Sequence, residues 1–167
     1  HRYPQGAHDR GRNAKGSALC GDHVVLTGEI DRSTVSVGLS HAFALTSTGA
    51  LYGWGINSNG QLGLNDTFDR SSPTQIGTDS FTQISAGSSH SLGLKSDNTL
   101  WGWGGNGVYQ LGDNTTINRS VPVQISTNSY TLISAGSTYN LAIKNDSTLW
   151  AWGQNNVGQV GYTTTIT

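Results

Sequence analysis

The chain has 167 residues, of which 11% are charged, and its formal net charge is -1 at pH 7. Because nucleic-acid binding needs clustered Lys and Arg, this composition gives no strong signal for a nucleic-acid partner. Cys20 is the only cysteine, which excludes an intramolecular disulfide. No run of about 18 apolar residues occurs, which argues against a membrane-spanning segment.

Residues 1–34 do not follow the pattern of the rest of the chain. His1–Gly21 lacks the alternation of a strand, and we expect extended surface chain there. Val24–Leu26 lies 49 positions before Pro73–Gln75. By that spacing, we predict that Val24–Leu26 forms an outer strand of a preceding unit.

Residues 35–167 repeat with a period of 49 residues, without insertion or deletion. Gly38–His41 returns as Gly87–His90 and again as Gly136–Tyr139, where Tyr replaces His. A period near 50 is typical of arrays whose units bury their apolar faces by stacking on their neighbours. The copies span residues 35–83, 84–132 and 133–167, and the third copy is incomplete.

The first two predicted strands of each copy form a hairpin. In His41–Thr46 the large side chains alternate with small ones, which is the period of a β-strand. A polar turn at residues 47–49 follows, and Leu51–Gly55 then places Tyr52 and Trp54 on one face and glycines on the other. A sheet with one bulky face and one nearly bare face can stack on a copy of itself.

Two further strands complete each copy and make the predicted fold all-β. The third strand is predicted at Pro73–Ile76 and Pro122–Ile125, where an opening Pro suits an edge position because its missing N–H costs no ladder bond. A fourth, short strand at Phe81–Ala86 and Tyr130–Ala135 leads into the next copy. No segment has helical periodicity.

Several marks of one copy recur in the others and together resemble a known repeat. They are the Gly-x-x-His opening at Gly38, the Ala-Leu strand at Ala44, the Leu-Tyr-x-Trp-Gly strand from Leu51, and the Asn-x-x-Gly-Gln-Leu-Gly loop from Asn57. This string resembles the repeat of the regulator of chromosome condensation (RCC1) family over Val35–Gly161. The resemblance implies a β-propeller with blades of four antiparallel strands, usually seven blades.

Fewer than three blades are encoded, and an arc of blades leaves sheet edges exposed. We therefore expect a partial propeller, either because the chain is part of a longer one or because copies associate through open blade edges to close a ring. The cut inside the third repeat favours a longer chain.

The loops that follow the Trp strands are the predicted partner-binding sites. Their residues vary while the surrounding frame does not, and loops on a rigid frame are where recognition usually lies. Tyr109 is the best single candidate, because an aromatic ring that replaces the loop Gly adds an amphipathic anchor. The other predicted contacts are Asn57, Asn59, Asn106, Asn155 and Asn156.

No catalytic, metal or cofactor site is predicted. His41 and His90 invite a metal hypothesis, but each recurs once per blade and the third copy has Tyr139 instead, which indicates side chains that bond a neighbouring loop. Gly102–Gly107 matches Gly-x-Gly-x-x-Gly, but it ends an aromatic strand instead of opening a helix in a βαβ unit. The Asp residues lie in turns and loops without a spacing that specifies acid–base chemistry.

These observations favour a non-catalytic protein-interaction scaffold with a protein partner and no membrane contact. The family resemblance leaves two alternatives, a guanine-nucleotide exchange factor for a small GTPase and a chromatin-binding protein. A third alternative is a copper enzyme, because a free His1 can chelate copper through its amine and ring if His8 or His23 approaches. Few Lys and abundant Thr, Asn and Ser favour an extracellular or cell-surface location.

Overall fold

The structure, a computed structural model, describes residues 30–161, which contain eleven strands and no helix. The strands form three antiparallel sheets, each built from consecutive strands. The first sheet contains β1 (Ile30–Val37), β2 (His41–Thr46), β3 (Leu51–Gly55) and β4 (Arg70–Gln75). The second contains β5 (Phe81–Ala86), β6 (His90–Lys95), β7 (Leu100–Gly104) and β8 (Arg119–Ser126). The third contains β9 (Tyr130–Ala135), β10 (Tyr139–Lys144) and β11 (Leu149–Gly153).

These sheets confirm the predicted all-β array of four-stranded antiparallel blades, with one correction to the proline strands. β4 and β8 begin at Arg70 and Arg119, three residues before the prolines, so the prediction that Pro opens the strand is wrong. Each proline lies between two paired stretches of its strand, and the register shifts between them. After Pro73, Thr74 pairs with Gly53, and before it Arg70 pairs with Gly55; Val123 and Arg119 pair in the same way with Gly102 and Gly104. Both strands lie at the edge of their sheets, where a missing N–H is tolerated.

The sheets and the 49-residue copies begin at different points of the chain. β5 opens the second sheet at Phe81, whereas the first sequence copy runs to residue 83. β1 begins at Ile30, within the 1–34 segment that does not follow the repeat. The outer strand predicted at Val24–Leu26 and the segment His1–Gly21 lie outside the described residues.

The hydrophobic core lies between the sheets. Each sheet turns one face toward the next sheet along the chain, which we call its forward face, and the opposite face is its backward face. Phe43, Leu45 and Leu51 on the forward face of the first sheet pack against Phe81 and Trp103 on the backward face of the second. Burial of each such side chain contributes about 2 kcal/mol, so stacking of neighbouring sheets supplies most of the stability.

The same packing recurs between the second and third sheets. There Leu92, Leu94 and Leu100 meet Tyr130 and Ile133. All five side chains are buried. Each lies 49 residues after a residue that belongs to the first interface or packs against it. The chain therefore builds one kind of sheet–sheet contact twice.

The first strand of each sheet lies against the first strand of the next. The Ser36 hydroxyl accepts a hydrogen bond from the Ala86 amide at 2.9 Å, and the Ser85 hydroxyl accepts one from the Ala135 amide at 2.8 Å. A Cβ atom at position 38 would clash with the backbone carbonyl oxygen of Gly87, so the close approach of the two strands requires glycine at position 38. Close inner strands and separate outer strands give a radial array of sheets.

Candidate functional site

Two loops are each held together by a buried asparagine. We call the loop after β3 (residues 56–69) the first loop and the loop after β7 (residues 105–118) the second loop. The Asn57 amide nitrogen donates to the Asp66 carbonyl at 3.0 Å, and its oxygen accepts from the Leu62 amide at 2.9 Å. Asn106 repeats the arrangement, donating to the Thr115 carbonyl at 2.8 Å and accepting from the Leu111 amide at 2.9 Å.

Both asparagines are fully buried, so their side chains face the interior of the loop. Such bonds satisfy backbone groups that would otherwise be buried without partners. We therefore assign Asn57 and Asn106 to the loop framework and do not include them in the proposed contact surface. Their equivalent Asn155 also accepts a bond from the Val160 amide, at 3.2 Å, but its side chain is only partly buried.

An Asp–Arg pair closes each of these loops at its far end. Arg70 contacts the Asp66 carboxylate at 2.6 Å, and Arg119 contacts that of Asp113 at 2.8 Å. The Arg70 hydrogen bond lowers the pKa of Asp66 below its usual value. Burial alone would raise the pKa of Asp113, but hydrogen bonds from Thr115, Arg119 and Asn106 outweigh it and lower the pKa. Both carboxylates are therefore ionised at neutral pH and hold the loop shape.

The first loop crosses onto the second sheet. The Asn65 backbone amide donates to the Ser120 backbone carbonyl on β8 at 2.8 Å, and the Asn118 side chain donates to the side-chain oxygen of Asn59 at 3.2 Å. Asn59 therefore lies between the first and second sheets.

The second loop crosses onto the third sheet in the same way. The backbone carbonyl of Gln110 accepts from the Trp152 indole N–H at 3.0 Å and from the side-chain nitrogen of Asn140 at 2.6 Å. These two bonds fix the position of the second loop relative to β10 and β11.

A groove of about 850 Å³ lies beside the second loop and β11. It brings together three of the predicted contact residues, Tyr109, Asn155 and Asn156, and separates them from Asn59. Two residues that the sequence does not predict as contacts, Trp150 and Trp152, also line it. Aromatic rings with a few amides are typical of protein-binding sites.

Trp150 is a preorganised aromatic surface within this groove. Its indole N–H donates to the Thr148 hydroxyl at 3.0 Å, and the Lys144 ammonium lies 3.5 Å from the ring centroid. The ring is half-exposed, so one part is restrained while another part faces solvent. A ring held in this way loses little conformational freedom when a partner contacts it.

Tyr109 is the residue that distinguishes the second loop from the other two. Its φ is +62°, a left-handed conformation that its equivalents Gly60 and Gly158 adopt without strain, with φ of +78° and +84°. A Cβ at Gly60 would lie 2.7 Å from the Ser120 Cα on β8. The half-exposed Tyr109 side chain therefore requires a strand added beside β11 to pass farther from this loop than β8 passes from Gly60.

The histidines of the Gly-x-x-His openings link neighbouring sheets. His41 Nε2 hydrogen-bonds to the Ser91 hydroxyl at 3.0 Å, and His90 Nε2 to the Asn140 oxygen at 2.7 Å. Burial, with a smaller effect from the charge of His90, lowers the pKa of His41 to about 4. Burial also lowers the pKa of His90, against an opposing effect of the Asn140 bond. Both rings are therefore neutral at pH 7 and act as interface side chains.

Among residues 35–161, whose side chains the structure describes, no group of three or more His, Cys, Asp or Glu is placed to hold a metal ion. Nor does this part of the chain include a helix long and apolar enough to cross a membrane.

Radially stacked sheets of antiparallel strands, with the first strands packed innermost, define an arc of a β-propeller. The family model "Regulator of chromosome condensation (RCC1) repeat" matches residues 48–94 and 97–143, and a second model of the same description matches residues 33–61, 81–110 and 130–159. Because each model matches more than half of the chain, the protein belongs to the RCC1 repeat family.

Individual relatives share this repeat at different levels of similarity. The probable E3 ubiquitin-protein ligase HERC3 of Homo sapiens is 49% identical over 47 residues, which are 28% of this chain and 4% of HERC3. The solved structure of human WBSCR16 matches with a TM-score of 0.71 and 24% identity, and Prp20p of Saccharomyces cerevisiae with 0.67 and 23%. Each structural match covers 78% of this chain and 34% of the other. The chain thus spans about a third of the length of these propellers.

Proposed function

We propose that the protein is a non-catalytic protein-interaction scaffold whose partner contacts the groove beside β11. The observation that carries this proposal is the groove itself, where Tyr109, Trp150 and Trp152 meet the amide side chains of Asn155 and Asn156. Aromatic side chains at the centre of a surface depression are the usual anchors of protein interfaces. Prp20p, whose fold this chain shares, has binding properties to Gsp1p and histones, which supports a protein as the class of partner.

The edge of β11 favours a partner that presents an extended backbone segment. Among the described strands β11 pairs only with β10, whereas its equivalent β7 pairs with both β6 and β8. An edge of this kind accepts an extended segment as an additional strand, with main-chain hydrogen bonds for affinity and side-chain pockets for specificity. In the second sheet β8 supplies such a strand, with Val123 opposite Gly102 and Arg119 opposite Gly104.

Binding of a short extended peptide to the purified chain tests this proposal. The probe is a fluorescent peptide with the sequence of β8, residues 119–126, and the control probe is a scrambled peptide. We expect saturable binding of the β8 peptide by fluorescence anisotropy. Trp150→Ala weakens binding about tenfold, which corresponds to about 1.4 kcal/mol.

The matched control is Trp101→Ala, because Trp101 is the equivalent of Trp150 in the second sheet and does not line the groove. We expect this variant to bind the peptide as the wild type does. Equal affinity for the scrambled peptide, or an equal loss in both tryptophan variants, would count against the groove as the contact site.

A further inference from the structure

The first and second loops each carry an Asn-x-Thr sequence at the same repeat position. These sequences begin at Asn65 and Asn114, and their threonines are Thr67 and Thr116. Asn-x-Ser/Thr is the acceptor sequence for N-linked glycosylation, which attaches a large sugar to the side-chain nitrogen of a surface asparagine. Of the four such sequences in the chain, only these two are repeat equivalents.

The structure presents both of these acceptor sequences to solvent. Their asparagines and threonines are all exposed, and within residues 35–161 the four side chains make no hydrogen bond. Asn65 stays exposed although its backbone amide bonds the Ser120 carbonyl on β8. A neighbouring strand therefore does not cover this loop position, and the side-chain nitrogen is free to receive a sugar.

The other two acceptor sequences are part of the folded framework. The side-chain nitrogen of Asn118, which would carry the sugar, donates to the side-chain oxygen of Asn59 at 3.2 Å, and its oxygen accepts from the Asn106 amide at 2.9 Å. Glycosylation there would break the contact between the two loops. Asn145 lies in the tight turn between β10 and β11, where the Ser147 amide bonds the Lys144 carbonyl at 2.9 Å.

The backbone conformation explains the recurrence of the two asparagines but not that of the threonines. The φ angle is +63° at Asn65 and +59° at Asn114, a region that Asn adopts more readily than most residues. Thr67 and Thr116 are exposed and bond nothing within residues 35–161, so the fold does not require a hydroxyl at either position. A modification that needs both the asparagine and the hydroxyl accounts for the whole sequence.

A large apolar side chain follows each of these asparagines by three residues. Phe68 is 73% exposed, and its repeat equivalent Ile117 is 60% exposed. The turn is alike in the two loops, because the Asp66 carboxylate accepts from the Phe68 amide at 3.0 Å and the Thr115 hydroxyl accepts from the Ile117 amide at 3.3 Å. A single exposed apolar residue needs no explanation, but here one recurs beside each acceptor sequence. A sugar attached in the same turn is large enough to cover it.

We propose that Asn65 and Asn114 carry N-linked glycans, which cover Phe68 and Ile117. The asparagine side-chain nitrogen bonds to the anomeric carbon of an oligosaccharide carried on a lipid diphosphate. The bond from that carbon to the diphosphate oxygen breaks, the lipid diphosphate leaves, and the nitrogen gives up one proton to a base. This donor belongs to the secretory pathway, so the proposal includes the extracellular or cell-surface location that the composition favours. Asn114 lines the groove but Asn65 does not, so the glycan at Asn65 is independent of the proposed function.

Peptide mapping of the native polypeptide, purified from its own cells, tests the proposal. A glycosidase that cleaves the asparagine–sugar bond converts each glycosylated asparagine to aspartate, which mass spectrometry of tryptic peptides detects. Trypsin places Asn65 in the peptide 33–70, and Asn114 and Asn118 in the peptide 96–119, where fragmentation separates them. We expect conversion of Asn65 and Asn114 and not of Asn118. A lack of conversion at either Asn65 or Asn114 would overturn the proposal.

Threonine variants of the secreted polypeptide separate the sugar from the loop conformation. Thr67→Ala removes the acceptor sequence and leaves Asn65 in place, so the mass of the polypeptide is expected to fall by one glycan. The matched control, Thr67→Ser, keeps the hydroxyl and is expected to keep the glycan. Binding of an apolar fluorescent dye is expected to rise in Thr67→Ala and to return to the wild-type level when Phe68→Ser is added. Equal masses of the two threonine variants, or unchanged dye binding in Thr67→Ala, would contradict the proposal.

Discussion

At the scale of single residues, asparagines of the same loops have different roles. Asn57 and Asn106 are buried in the loop framework, whereas Asn156 is exposed at the groove. The sequence predicts all three as contacts, because a loop asparagine can bond its own backbone or a partner equally well. The signal that separates them is recurrence, since Asn57 and Asn106 are repeat equivalents and Asn156 replaces Ser58 and Gly107.

The buried histidines make the free energy of unfolding depend on pH. His41 has a pKa of about 4 in the folded chain and about 6.5 when unfolded, so between these values the unfolded chain binds more protons. The free energy of unfolding is therefore expected to fall as pH falls from 6.5 to 4, by about 3 kcal/mol for this group. Urea unfolding at several pH values measures this change.

His41→Gln is the matched variant for this experiment, because it removes the titrating ring and keeps a polar side chain. It is expected to reduce the change between pH 6.5 and 4. The remaining change is expected from His90 and, close to pH 4, from carboxylates such as Asp66 and Asp113, whose pKa values are also lowered. A variant that keeps the full wild-type change would show that His41 does not titrate in this range.

At the scale of elements, the strands could be predicted and the groove could not. Alternating large and small side chains determine which residues of His41–Thr46 share a face of the sheet, so the hairpins follow directly from the sequence. The exposure of Trp150 instead depends on what lies beside β11, and the repeat pattern treats Trp150 and Trp101 alike. Tyr109 is the one sequence signal for the groove, because it breaks the pattern at a glycine position.

Tyr109→Gly tests whether Tyr109 contributes to peptide binding at a cost in the stability of its loop. Glycine adopts a φ of +62° without strain, so the variant is expected to raise the free energy of unfolding by about 1 kcal/mol in urea titrations. The same change removes a ring from the groove and is expected to weaken binding of the β8 peptide. Asn98→Gly, at a turn residue with φ of +63°, is the control and is expected to leave peptide affinity unchanged. Unaltered peptide affinity in Tyr109→Gly would contradict a contact role for Tyr109.

At the scale of the whole molecule, stability and recognition both depend on position within the array. Each sheet buries its apolar faces only against its neighbours, so equivalent residues such as Leu51 and Leu149 differ from fully buried to exposed. The family and the propeller fold follow from the repeat, which encodes the contact between successive sheets. The surfaces at the third sheet do not follow from it, because they arise where the repetition of described sheets stops.

Hydrogen exchange of the β11 amides, with and without the β8 peptide, tests most directly whether this edge accepts an extended segment. The amides of Leu149–Gly153 that face away from β10 are expected to exchange more slowly with peptide bound. Those of β3 and β7, which already pair on both sides, are expected to be unchanged. Saturable peptide binding without slower exchange in β11, or with equal slowing in all three strands, would contradict binding at the groove.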